Sequence, residues 1–149
     1  PIYSYCKNMD GLKNDVAEKA RTFILAEVGK TVDRNDLFRS TGHAYIQIAK
    51  NEPHIFRMYL FQERKNVSSL DDIYCSETNP NVSKIIAENL NISISAAKRL
   101  HLNMLIYTIG IGTIYSVTSS SISEAEIFNQ QELAYEAFLK QALEDNRNE

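Results

Sequence analysis

The chain has 149 residues, enough for one domain with a core of useful size. Apolar residues at 44% and charged residues at 23% are ordinary globular usage, and only five glycines and three prolines argue against a turn-rich all-β fold and against long linkers. A net charge of −3 is a poor match for a surface that grips phosphates, so these residues by themselves argue against strong nucleic-acid binding.

Cys6 and Cys75 are too few for a disulfide scaffold, and neither sits in a CxxC pair. They read as reduced thiols of a cytoplasmic protein. The longest apolar stretch, "LNMLIYTIGIGTIYSV" over 102–117, carries Asn103 and two threonines. It is shorter than the roughly 18 to 20 residues of a membrane helix, so a buried helix is expected and no membrane partner.

Helical periodicity recurs along nearly the whole chain, and no two-residue alternation competes with it. The first long helix is expected over 10–28. Leu12, Val16, Ala20, Phe23, Ile24 and Val28 share one face at spacings of three and four, and Gly29 follows as a stop. Asp33 can cap the next helix, with Asp36 in its first turn near the positive end of the dipole. Leu37, Phe38, Thr41, Ala44, Tyr45, Ile48 and Ala49 form its apolar arc. Pro53 fits the first turn of a further helix with Asn51 as cap, and Ile55, Phe56, Tyr59 and Leu60 give that helix a buried side.

The polar stretch "QERKNVSSLDD" over 62–72 reads as a loop leading into a turn of helix. Asn79-Pro80 repeats the cap-then-proline signal ahead of a helix reaching Leu90. Ser93 or Ser95 starts the next, which runs to about Thr118. "SSSISEAE" over 119–126 breaks the apolar run, and Ser121 with Glu124, or Ser123 with Glu126, has the spacing of a capping box. The last helix is expected to reach Glu144, with the final residues frayed.

The expectation is therefore an all-α fold, a bundle of six or seven helices with the two longest at the C-terminal end. In the penultimate helix, Ala97, Leu100, Met104, Tyr107, Ile111, Ile114 and Thr118 form one stripe, and Leu102, Leu105, Ile106 and Ile109 a second. In the last, Phe128, Gln131, Tyr135, Phe138 and Ala142 line up, widened by Leu139 and Leu143. Gly110 and Gly112 allow close helix approach at up to about 1 kcal/mol each of helix propensity. A helix apolar on two sides must be buried on two sides. One solution is a homodimer, in which two copies of the hairpin make a four-helix bundle through Met104, Tyr107, Ile111, Ile114, Phe128, Gln131, Tyr135 and Phe138. The other is a single core that covers both stripes.

The chemistry-bearing motifs are missing. Ser40, Asn51 and Lys98 stand three before His43, His54 and His101, so there is no Glu-x-x-His pair, and HExxH is absent. GxSxG, the P-loop and GxGxxG do not occur, and each lone cysteine reads as packing. No enzyme, metal or cofactor is expected. The aromatic residues say more. Phe23, Phe38, Tyr45, Phe56, Tyr59, Phe61, Tyr74 and Tyr107 fall on faces that converge on one interior. That interior is either a filled core with hydroxyls reaching outward or an apolar cavity with a few polar tips.

The opening "PIYSYCKNMDGLK" resembles the junction between the recognition helix and the connecting helix of TetR/AcrR-family transcriptional regulators. Ile2, Tyr3, Ser4, Tyr5 and Cys6 are followed by a polar turn and Leu12, with Cys6 in place of a phenylalanine and Met9 in place of a lysine. "AYIQIAKNEPHIFRMYLF" over 44–61 is similar to that family's Tyr-x-x-Phe-Ala-x-x-Asn/Glu-Pro segment, with Ile48 for the phenylalanine. "LIYTIGIGTI" over 105–114 is similar to the Trp-His-Gly segment of one subgroup, with Leu105 and Ile109 substituted and Gly110 kept.

The resemblance implies a remnant of a helix-turn-helix DNA-binding domain over 1–9, cut from a larger protein, and a ligand-binding and dimerisation domain over 10–149. It implies backbone-phosphate contacts from Tyr3, Tyr5 and Lys7, which position a protein on DNA without reading bases. It implies a small-molecule pocket, for which Phe23, Tyr45, Phe56, Tyr59, Tyr74, Leu105 and Ile109 are the expected lining. It implies a dimer through the last two helices and a repressor released from operator DNA by an apolar or amphipathic effector. A helical protein-interaction module that binds a partner helix is the competing expectation.

Overall fold

The computed structural model describes residues 9–118 and 122–148, and those residues form seven α-helices and no strand. Tyr3, Tyr5, Lys7 and the candidate cap Ser121 lie outside the described residues.

Helix α1 spans Met9–Thr31 and passes through Gly29 instead of stopping there. Gly29 is exposed, and a Cβ there would meet nothing within 4 Å, so only its weak propensity, up to about 1 kcal/mol, opposes the helix. The buried face of α1 is Ala17, Ala20, Ile24 and Val28, while Val16 and Phe23 turn outward. The expected stripe was thus rotated by about one residue, because small alanines allow the closest approach of α1 to its neighbours.

Helix α2 covers Leu37–Asn51. Its N-cap is Asp36, not Asp33, and the Asp36 carboxylate pairs with Arg39 at 2.9 Å rather than with a cap amide. Asp33 instead closes the preceding turn, where its Oδ1 accepts from Asn35 N at 2.9 Å. Helix α3, Pro53–Leu60, begins after Glu52 because α2 holds Asn51 in its own last turn. Helix α4, Leu70–Glu77, is opened by a reciprocal capping box between Ser69 and Asp72. Helix α5, Pro80–Leu90, starts on Asn79, whose side chain accepts from Asn81 N, and ends on Asn91 in the left-handed region at φ 52°. Helix α6, Ile94–Val117, is capped by Ser93, and α7, Glu124–Asn148, opens with Glu126 N donating to Ser123 Oγ at 3.2 Å. The last helix therefore continues past Glu144.

Helix α6 is central, packing against α2, α3, α5 and α7, while α1 lies on α2 and α3. Among the described helices it alone is long and apolar enough to cross a membrane. Three apolar clusters meet along it: one joins α1, α2 and α3 around Ile24, Ala49 and Phe56, the next joins α5, α6 and α7 around Ile86, Leu100 and Ala142, and the last holds Ile46, Tyr115 and Ile127. Phe56 is fully buried, worth about 1.5 to 3 kcal/mol as a transferred side chain. It reaches α6 at Gly112, where a Cβ would lie 2.9 Å from its Cζ.

Polar ties cross between elements. Arg39 grips Glu132 through Nε and Nη2 at 2.7 and 3.0 Å, Ser93 N donates to Asn146 Oδ1, and Arg21 Nη2 on α1 donates to the main-chain oxygen of Ser76 on α4 at 2.6 Å.

Most of the side chains expected at a seam between two copies pack against other parts of the same chain. Met104 and Gln131 are buried in the chain's own interior and present no surface to a partner. Tyr135 and Phe138 pack on the α5–α6–α7 cluster, and Phe138 meets Tyr107 edge-on at 6.3 Å. Ile111 and Phe128 pack on the cluster around Tyr115. Of the expected set, Ile114 stands exposed. It belongs to a different strip, with Ile106, Gly110 and Val117 on the outer side of α6.

Candidate functional site

A cavity of about 210 Å³ lies where the end of α1, the start of α2, the α4–α5 corner and the middle of α6 meet. The spacing of the sequence builds it. On α6, His101, Leu105, Thr108 and Ile109 recur every three or four residues and present one face. On α2, Phe38, Thr41, Gly42 and Tyr45 do the same from the opposite side. Val28 closes the α1 side, and Glu77, Thr78 and Asn79 form the corner where α4 gives way to α5.

Gly42 is needed here for space. A Cβ at that position would run into the side chain of Gln131, which is buried and donates through Nε2 to Thr108 Oγ1 at 3.0 Å. The other amide atom, Oε1, is buried with no partner among the described residues.

Two polar devices are set into the apolar wall. Glu77 keeps only 8% of its side chain exposed, and both of its oxygens are engaged: Oε2 accepts from the Tyr59 hydroxyl at 2.6 Å, and Oε1 from Arg64 Nε at 2.9 Å. The carboxylate is therefore neutralised before it reaches the cavity. Burial, with smaller effects from Tyr45 and Glu77, pushes the Tyr59 hydroxyl up beyond its ordinary value, and burial does the same to Tyr45, assisted by the Glu77 charge. Both remain protonated phenols at neutral pH.

The second device is His101. Its Nδ1 lies 2.9 Å from the Tyr74 hydroxyl, and its ring is held edge-on by Phe38 at 5.9 Å and Tyr74 at 5.3 Å. Burial pushes the imidazole down to about 4, so it is neutral at physiological pH. His43, by contrast, faces away from the cavity. It stacks on Phe128 at 3.8 Å, and its Nε2 is 3.9 Å from Glu132 Oε1, too far for a hydrogen bond. Burial lowers it as well, against the opposing pull of Glu132.

Of the residues expected to line a pocket, Tyr45, Leu105 and Ile109 do so. Tyr59 and Tyr74 sit one layer back and act through Glu77 and His101. Phe56 is core, and Phe23 borders a shallow surface hollow beside Ala44 and Gln47. Glu77, Thr78 and Asn79 were missed because a corner between helices carries no periodicity. The cap-then-proline signal at Asn79-Pro80 marks the place. Met104 also lines the cavity. Among the described residues, no group of three or more His, Cys, Asp or Glu is placed to hold a metal ion.

No protein-family model, no curated protein and no solved structure matches this chain.

Proposed function

We propose that this chain is the effector-binding and dimerisation domain of a cytoplasmic TetR/AcrR-type transcriptional regulator, with neither catalysis nor a cofactor of its own. The observation that carries the reading is the cavity: mostly apolar, of about 210 Å³, and walled on one side by Val28 in the last turns of α1. Helix α1 directly follows residues 1–9, which carry the resemblance to the end of a DNA-binding head. A molecule in the cavity presses on the lever that such a head would ride. Release of operator DNA follows only if the ligand prefers one lever position, since equal affinity for both shifts nothing.

The exposed strip of Ile106, Ile114 and Val117 on α6 supports pairing of two copies. The same strip also suits a foreign helix, the alternative reading as a protein-interaction module. Static light scattering of the purified chain separates the two. The regulator reading expects twice the 17.0 kDa chain mass, and the interaction module expects one. The decisive assay is a DNA-binding titration of the chain with its DNA-binding head against a selected duplex, in which a cavity ligand weakens the complex. Tight cavity ligands that leave DNA affinity unchanged would refute the lever.

A further inference from the structure

Resting on the effector-pocket reading above, we propose that the cavity selects a small, neutral, single-ring molecule bearing one hydrogen-bond acceptor, a ketone, aldehyde or ester carbonyl, and that Nε2–H of His101 recognises that acceptor.

Size comes first. An apolar cavity of about 150 Å³ holds a benzene ring. The roughly 210 Å³ here leaves room for a ring with a few further heavy atoms. The walls are chiefly aliphatic and aromatic, with Phe38, Val82, Met104, Leu105 and Ile109 around the space.

Charge comes next. No lysine or arginine lines the cavity, and its single carboxylate, Glu77, has both oxygens occupied by Tyr59 and Arg64. A ligand carboxylate or ammonium would be buried without a counter-charge, which is strongly unfavourable. The cavity therefore selects against ions of either sign.

Of the other polar side chains in the wall, Thr41 and Thr78 donate their hydroxyl hydrogens to main-chain oxygens, while His101 offers a ring nitrogen. The Tyr74 hydroxyl lies 2.9 Å from His101 Nδ1, and with the hydroxyl taken as the donor that nitrogen is the acceptor. Assigned from that bond, the neutral ring carries its own proton on Nε2. No described residue bonds Nε2, and His101 is part of the cavity wall. On a ring held between Phe38 and Tyr74 in the cavity wall, that nitrogen is open to an incoming acceptor.

The test titrates the chain with acetophenone, ethylbenzene and phenylacetate by calorimetry, comparing wild type with His101→Asn, whose amide oxygen can still accept from Tyr74. The readout is the ratio of the ethylbenzene and acetophenone Kd values, because the ketone is better hydrated in water. That ratio is expected to fall about three- to tenfold in the variant, with phenylacetate the weakest ligand throughout. In the wild type, nitrogen NMR is expected to find the proton on Nε2 and to see it shift with acetophenone but not with ethylbenzene, a readout independent of how the variant folds. A proton on Nδ1, an unchanged ratio, tighter binding of phenylacetate, or no binding of any probe would each overturn the proposal. Binding with the expected preference that leaves operator affinity of the full chain unchanged sinks the effector reading and keeps the ligand class. Operator release by ligands indifferent to His101 does the reverse.

Discussion

At the scale of single residues, buried polar groups hold the cavity open and set its character. Glu77→Gln would leave Arg64 facing an uncharged amide and weaken the bond from Tyr59. Because Arg64 keeps partial contact with water, the loss is expected to be about 1 to 3 kcal/mol, read from urea unfolding at pH 7. His101 makes stability depend on pH. Its folded pKa of about 4 lies below the ordinary 6.5, so the unfolded chain takes up the proton first. The contribution is complete above pH 6.5 and is lost as pH falls towards 4, roughly 3 kcal/mol in all. His101→Asn should flatten that part of the stability profile, which unfolding midpoints at pH 7 and pH 4.5 would show. Gly42 and Gly110 make a contrasting pair. Alanine at an exposed helical glycine gains up to about 1 kcal/mol. At Gly42 the added methyl collides with Gln131 and disrupts its bond to Thr108, so Gly42→Ala is expected to cost about 1 to 3 kcal/mol in a thermal melt.

At the scale of elements, the helix starts that carry their own chemistry were legible in the sequence. Asn79 before Pro80 and Ser93 before the longest apolar run act as caps in the fold. Ser69→Ala should therefore remove about 1 kcal/mol through the α4 cap, seen as a lowered midpoint. The starts that depend on surroundings were not legible. Asp36 stands at the cap position with its carboxylate drawn to Arg39, while Asp33 is used in the turn before it. Gly29 does not end α1, because tertiary contacts through Ile24 and Val28 carry the helix past it. The stripes of α6 and α7 were visible as stripes. Which of them faces the chain's own core is a matter of where α2 and α5 lie, and periodicity holds no information on that. Part of the cavity was readable for the same reason: Tyr45, Leu105 and Ile109 belong to periodic faces, while Glu77 and Thr78 belong to a corner.

At the scale of the whole molecule, the outer strip of α6 is an exposed apolar surface on which the proposed pairing of two copies can be tested. Ile114 is 58% exposed in the single chain, so Ile114→Glu is expected to leave the fold within about 0.5 kcal/mol of wild type. In a homodimer the same charge is buried, and light scattering should show the assembly halved to one chain. Gly110→Ala probes the same strip more gently. A Cβ there meets nothing within 4 Å in the single chain, so the folded protomer should gain stability while any close pairing of two α6 helices weakens.

The tie between Arg21 and Ser76 has a consequence of its own, because the oxygen that α1 holds on α4 belongs to the main chain. Nearly any amino acid at position 76 supplies the same anchor, so that position can drift over generations without loosening the strut. At position 21 the side chain itself is the donor, so a shorter or neutral replacement there removes this tie between α1 and α4.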